Sequence, residues 1–192
     1  MLRITADRHW SRQFGKSSKK RITPQSLGDF MAQIDYITSL NEMYQSQGFP
    51  PYKWSENKSS PWTPVTKPLN EMVLSLISSA GIFMDSQDPF DPWAVNDLSF
   101  REIPVTTPFT QLNLRHNYFD HRDAVTDLNC VFPTQRLAEL MADGVIRKLA
   151  PTAITLGMGR LYKRTALQEE TVPEIVEVLK REQADAAFLV PA

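Results

Sequence analysis

A chain of 192 residues that is 42% hydrophobic and 22% charged has enough apolar surface to bury a sizeable core, and nothing in these totals suggests a wholly disordered or membrane protein. A net charge of −1 leaves no general cationic excess for holding a phosphate backbone, so nucleic acid is not an expected partner. No apolar run approaches the ~18 residues of a bilayer span and no signal-peptide core precedes the first helix, so no membrane partner is expected and the cytoplasm is the expected compartment.

Residues 1–25 carry Arg3, Arg8, Arg12, Lys16, Lys19, Lys20 and Arg21 against the single acid Asp7, with few apolar positions. They read as a basic, disordered extension; a transit peptide or an RNA-binding arm would have a similar composition. In "SLGDFMAQIDYITSLNEMYQSQG", Ser26 is a candidate N-cap. Leu27, Phe30, Met31, Ile34, Ile37, Leu40 and Tyr44 recur at near-helical spacing, which predicts an amphipathic helix ending near Gly48. Five prolines between 49 and 68 make the next segment extended.

"EMVLSLISSAGIF" predicts a central strand over 72–77, running into the small residues Ser78, Ser79, Ala80 and Gly81. About 50 residues without clear periodicity follow, long enough to suggest a functional or capping excursion. Regularity returns at Thr134, a candidate cap for a helix with Leu137, Leu140 and Met141 inward, closed by Gly144. A strand is predicted over 152–156. Thr171 and Glu174 then have capping-box spacing at the head of a helix with Val172, Ile175, Val176 and Leu179 on one face.

That helix leads into "AAFLV", residues 186–190, apolar throughout and so predicted to be a strand buried on both faces. Strand, helix and strand make a βαβ unit with parallel strands. The expected fold class is α/β: an incomplete doubly wound, mostly parallel sheet with flanking helices, with residues 26–192 forming the N-terminal part of a single domain.

The densest polar cluster is "LRHNYFDHRDAVTDLNCVFP", where His116 and His121 lie five apart among Asp120, Asp123 and Asp127. Imidazoles with carboxylates suit a metal site with N and O ligands, a general acid/base pair, or ordinary structural hydrogen bonds, and the pattern alone leaves all three open. Arg101 beside Glu102 suits a clamp on a substrate carboxylate or a structural salt bridge. Gly157, Gly159 and Arg160 suit either an anion cradle or a plain turn. Cys130 is the only cysteine, which rules out a disulfide within the chain, and before Val131 and Phe132 it reads as a small buried hydrophobe. There is no GxSxG elbow and no GxGxxG or GxxxxGK[ST] loop.

Taken in order from about residue 36 to 192, "PWTPVTKPL", "SLISSAGIF", "PFDPWAVNDLSFREIP", "HNYFDHRDAVTDLNCVFPTQRLAELMADGVI" and "EETVPEIVEVLKREQADAAFLVPA" resemble the glycine/sarcosine/betaine/D-proline reductase selenoprotein B family. The resemblance implies a reductase component that cleaves a C–N bond next to a carboxylate in a small amino acid or amine. The cleavage proceeds through a selenoether or mixed selenide–sulfide that dithiols resolve.

In that family a VPA-like tripeptide is followed by a (seleno)cysteine-x-x-Cys redox motif, and this chain stops just before it. The catalytic selenocysteine or cysteine is therefore expected immediately after Ala192, a UGA codon having been read as a stop; no cofactor is expected within the chain itself. The alternative is a truncated paralogue acting as a binding or regulatory module.

By the same resemblance His116, Asp120, His121 and Asp123 are expected catalytic residues, and Arg101, Glu102 and Asp127 substrate-binding ones. Arg101 would hold a carboxylate and His116 or His121 would protonate the leaving amine. Other reductase subunits and a thioredoxin-like dithiol donor are the implied partners.

Overall fold

A computed structural model describes residues 36–51, 56–159 and 163–192. The basic extension over 1–25 and the predicted cap at Ser26 lie outside the described residues. Among the described residues the chain divides into two compact units, one holding 36–51 and 56–64 and the other 65–159 and 163–192. In the first, α1 (Tyr36–Ser46) ends as predicted: the chain turns out at Gly48, whose N–H donates to Gln45 O at 3.0 Å while Phe49 N–H donates to Tyr44 O at 3.0 Å.

The second unit contains, in order, β1 (Val73–Ser78), β2 (Ile82–Met84), β3 (Phe100–Pro104), β4 (Leu112–Leu114), α2 (Arg122–Thr126), a 3-10 turn (Leu128–Cys130), α3 (Thr134–Ala142), β5 (Lys148–Leu149) and β6 (Thr152–Leu156). A short α4 (Arg164–Ala166) then runs through a π turn (Leu167–Thr171) into α5 (Val172–Arg181), and β7 (Ala186–Val190) follows.

β1 is the axis of a five-stranded sheet. Along one edge it pairs in parallel with β7, from Leu74↔Ala186 to Ser78↔Val190. Leu74 also pairs with Leu149 and Ser78 with Thr155, so β5 and β6 together occupy the opposite edge, interrupted at Ala150 and Pro151. Pro151 has no N–H to give to a ladder, which accounts for the break. β3 runs antiparallel outside β6, while β2 and β4 form a separate antiparallel pair. The architecture is thus mixed α/β, a mostly parallel sheet with flanking helices, and the βαβ unit places its two strands on either side of β1.

Side-chain alternation along the strands gives the sheet two covered faces. Leu74, Leu76, Ile103 and Ala153 point to one side, where β2, β4, α2 and α3 supply Ile82, Leu112, Leu114, Ala124 and Leu137. Ile77, Phe100, Ile154 and Leu156 point to the other and meet Ile175, Val178 and Leu179 of α5. The aperiodic excursion therefore holds β2, β3 and β4, each too short to display an alternation.

Four local expectations are corrected. β7 is an edge strand and not one buried on both faces: Ala186 and Val190 touch the core, but Phe188 is 44% and Leu189 67% exposed. Thr171 is itself helical (φ −73°, ψ −43°) because the helix starts earlier, at Arg164. Its hydroxyl donates to Leu98 O at 2.7 Å and caps nothing. Of the three apolar positions expected to face inward in α3, only Leu137 is buried, and Leu140 and Met141 are exposed. Cys130 is exposed, since the 3-10 turn sends Leu128, Val131 and Phe132 inward instead.

Candidate functional site

Because β1, β6 and β7 are parallel, their carboxyl ends meet at one end of the sheet. There the small residues after β1 bind their neighbours through backbone and hydroxyl groups. Ser78 Oγ, fully buried, donates to Val131 O at 2.7 Å and accepts from Ala80 N–H at 3.2 Å. Ser79 N–H donates to Val190 O at 3.1 Å, and Ser79 Oγ accepts from Ala192 N–H at 3.0 Å. Gly81 N–H donates to Leu156 O at 2.9 Å, and its carbonyl accepts from Arg115 N–H at 3.0 Å.

Gly81 is at φ 69°, and a Cβ there would overlap the Arg115 carbonyl oxygen and lie 3.4 Å from His116 Cβ. Absence of that side chain is what lets the 115–121 turn sit against the strand end.

The turn is an aromatic stack. His116, 3% exposed, lies 5.8 Å from the Tyr118 ring and 5.0 Å from Phe119; Phe119 meets His121 edge-on at 4.5 Å. His116 Nδ1 accepts from Tyr118 N–H at 3.1 Å, so the neutral ring carries its proton on Nε2. Burial, reinforced by the neighbouring His121, lowers the His116 pKa to about 4. Burial also lowers that of His121, against the opposing pull of a bond to the His116 backbone and of the Asp120 charge. His121 Nε2 is buried with no hydrogen-bond partner. Tyr118 Oη donates to Pro92 O at 2.8 Å and ties the turn to the 88–99 loop.

The carboxylates of the cluster go elsewhere. Asp120 is exposed and held by Arg122, whose Nε lies 2.9 and 2.8 Å from its two oxygens; these bonds depress the carboxyl pKa. Asp123 sits exposed in the first turn of α2. Asp127 accepts from Asn129 N–H at 3.0 Å and Asn129 Nδ2 at 2.8 Å, capping the 3-10 turn, and these bonds lower its pKa. It also borders a shallow cavity of about 210 Å³ with Phe109, Thr110 and residues 124–128. Among the described residues, no three His, Cys, Asp or Glu side chains come together as a metal site.

Arg101 and Glu102 face opposite sides of β3. Arg101 is opposite Thr155, near the carboxyl end of β6; its Nε donates to Asp88 O at 3.0 Å, its Nη1 donates to Phe100 O at 3.0 Å, and its guanidinium lies 4.4 Å from the Phe90 ring centre. Glu102 forms an ion pair with Arg181 of α5.

The Gly157 and Gly159 pattern marks two close approaches: a Cβ on Gly157 would come within 2.5 Å of the Phe90 ring, and one on Gly159 within 2.7 Å of the Ala94 backbone oxygen. Arg160 lies outside the described residues. Sequence reasoning singled out neither Phe90 nor Tyr118, although both lie within the motif blocks. The run of small residues after β1 was the one available signal for the strand-end contacts of Ser78, Ser79 and Gly81.

Chemically, the turn offers two neutral imidazoles. Among the described residues His121 Nε2 has no hydrogen-bond partner, which leaves it able to accept or return a proton.

No family model and no solved structure matches the chain. Among curated proteins, the D-proline reductase subunit gamma of Acetoanaerobium sticklandii is 38% identical over 128 residues, which is 67% of this chain and 52% of that protein. The chain thus spans about half the length of the curated relative it matches. The chain is thus homologous over that stretch to the D-proline reductase gamma subunit, and it is that subunit which is a member of the glycine/sarcosine/betaine/D-proline reductase selenoprotein B family.

Proposed function

We propose that the chain is a selenoprotein B-like component of a cytoplasmic reductase that cleaves a C–N bond next to a carboxylate in an amino acid or amine, D-proline being the first substrate to test. The observation that carries this reading is the 38% identity over 128 residues to the D-proline reductase gamma subunit. Other reductase subunits and a thioredoxin-like dithiol donor are its proposed partners.

In this reading the catalytic selenocysteine or cysteine follows Ala192 and supplies the nucleophile. Support for that position comes from β7, which delivers Val190 and Ala192 to Ser79 at the end of the sheet where the His116 turn also lies. Open α/β sheets build their sites at this end. His121 then passes a proton to the departing amine, His116 holds the turn in place, and Arg101 binds the carboxylate.

The test is to read the gene in frame beyond the Ala192 codon. We expect UGA followed by an open frame with a further cysteine codon close behind. A UAA or UAG codon, or no continuing frame, would overturn the redox reading and leave a binding or regulatory module.

A further inference from the structure

We propose that residues 115–121 form a pH-sensitive latch against the carboxyl end of β1, closed while His116 and His121 are neutral and opened when these imidazoles take up protons. The inference stands on the geometry of the turn and holds whatever reaction the chain serves.

Three features of the turn carry it. First, its closure depends on a neutral His116: the 3%-exposed ring accepts at Nδ1 from Tyr118 N–H, and a protonated Nδ1 would have to give up that bond and face a donor. Second, the two imidazoles share one apolar stack through Phe119, so a charge on either is placed in a desolvated environment beside the other ring. Third, the buried Nε2 of His121 has no partner among the described residues, so a proton added there would find no acceptor from them while the turn is closed.

The charged surroundings offer little relief. Among the described residues, His121 is the titrating group that acts on His116. Asp120 is the carboxylate that acts on His121, and it is already engaged by Arg122 of α2. From the packed elements, Gly81 offers a backbone carbonyl to Arg115 and Pro92 offers one to the Tyr118 hydroxyl; neither approaches as a carboxylate.

Among the contacts that hold the latch are Arg115 N–H to Gly81 O, Tyr118 Oη to Pro92 O, Val125 N–H to His121 O, the ring stack and Phe119 against the core, and none of them is a bond of the five-stranded sheet. Local opening therefore needs no rupture of the sheet. With the His116 pKa at about 4 when closed and 6.5 when open, acidification to pH 5 favours the open turn by about 30-fold over its population at pH 8.

Amide hydrogen exchange of the whole chain at pH 5 and pH 8, corrected for intrinsic exchange rates, tests this. Amides of residues 116–121 are expected to open about 30-fold more at pH 5 than at pH 8, and at both pH values to exchange far faster than those of 74–78 in β1, which open only when the whole fold does. His116→Gln is expected to flatten the dependence. Should that variant not fold, direct NMR titration of His116 in the unaltered chain decides: a midpoint near 4 supports the latch and one near 6.5 overturns it. The same level of protection in 116–121 as in β1 would also overturn it, since the event would then be global unfolding.

Discussion

Gly81 at φ 69° and Gly144 at φ 72° share a backbone conformation but not a neighbourhood. Around Gly144 nothing lies within 4 Å of an added Cβ, so Gly144→Ala is expected to cost about 1 kcal/mol, the backbone strain alone. At Gly81 the same methyl overlaps the Arg115 carbonyl, a backbone group that cannot rotate away, and Gly81→Ala is expected to cost about 2–4 kcal/mol. Urea melts of the two variants check this, and equal losses would mean that the Arg115 turn does not rest on Gly81. Cys130 gives a second test at this scale. Being exposed and the chain's only cysteine, it is expected to react fully with iodoacetamide under native conditions. Protection until denaturant is added would restore the buried reading.

Elements with a complete period were legible before the structure. The apolar run over 72–77 is β1 shifted by one residue, 152–156 is β6 without change, and the Gly144 stop closes α3. Elements that exist only through their partners were not legible. β2 and β4 have three residues each and take their register from one another, and β3 is defined by pairing with β6. The site followed the same division: the 116–127 block was found by its residue types. Sequence could not show that folding buries His116 and half-buries His121 while sending Asp120, Asp123 and Asp127 to the surface. β7 illustrates the limit best, because an all-apolar strand reads as buried on both faces whether or not a neighbour covers it. Its exposed Leu189 should act as a self-association point in this chain. Leu189→Lys is expected to reduce aggregation, read by light scattering, while changing stability by less than about 0.5 kcal/mol. Unaltered aggregation would place the sticky surface elsewhere.

At the scale of the whole molecule, two sets of titrating groups act in separate pH windows. The folded-state pKa of His116 is depressed from 6.5 to about 4, so the unfolded chain binds the proton more readily. Its contribution is fully present above about pH 6.5 and is lost progressively as pH falls toward 4. Between pH 7.5 and 5 that amounts to about 2 kcal/mol for His116 alone. Asp120, Asp127 and Asp185 also have depressed values, but from 3.8; Arg122, Asn129 and Lys67 respectively hold the charged forms. Their contribution persists above the ordinary carboxylate range and is lost only below it, as pH falls through their folded values. Asp185 carries particular structural weight there, since it accepts from Val73 N–H at 2.8 Å and pairs with Lys67 at 2.5 Å where β7 joins β1. Urea unfolding should therefore weaken in two steps, the first between pH 6.5 and 4 and the second below about 4. His116→Gln should remove most of the first step and leave the second. If stability instead stayed flat from pH 7.5 to 4.5 and fell only below it, the buried imidazole would not be a source of acid sensitivity, and the carboxylates at the surface would account for all of it.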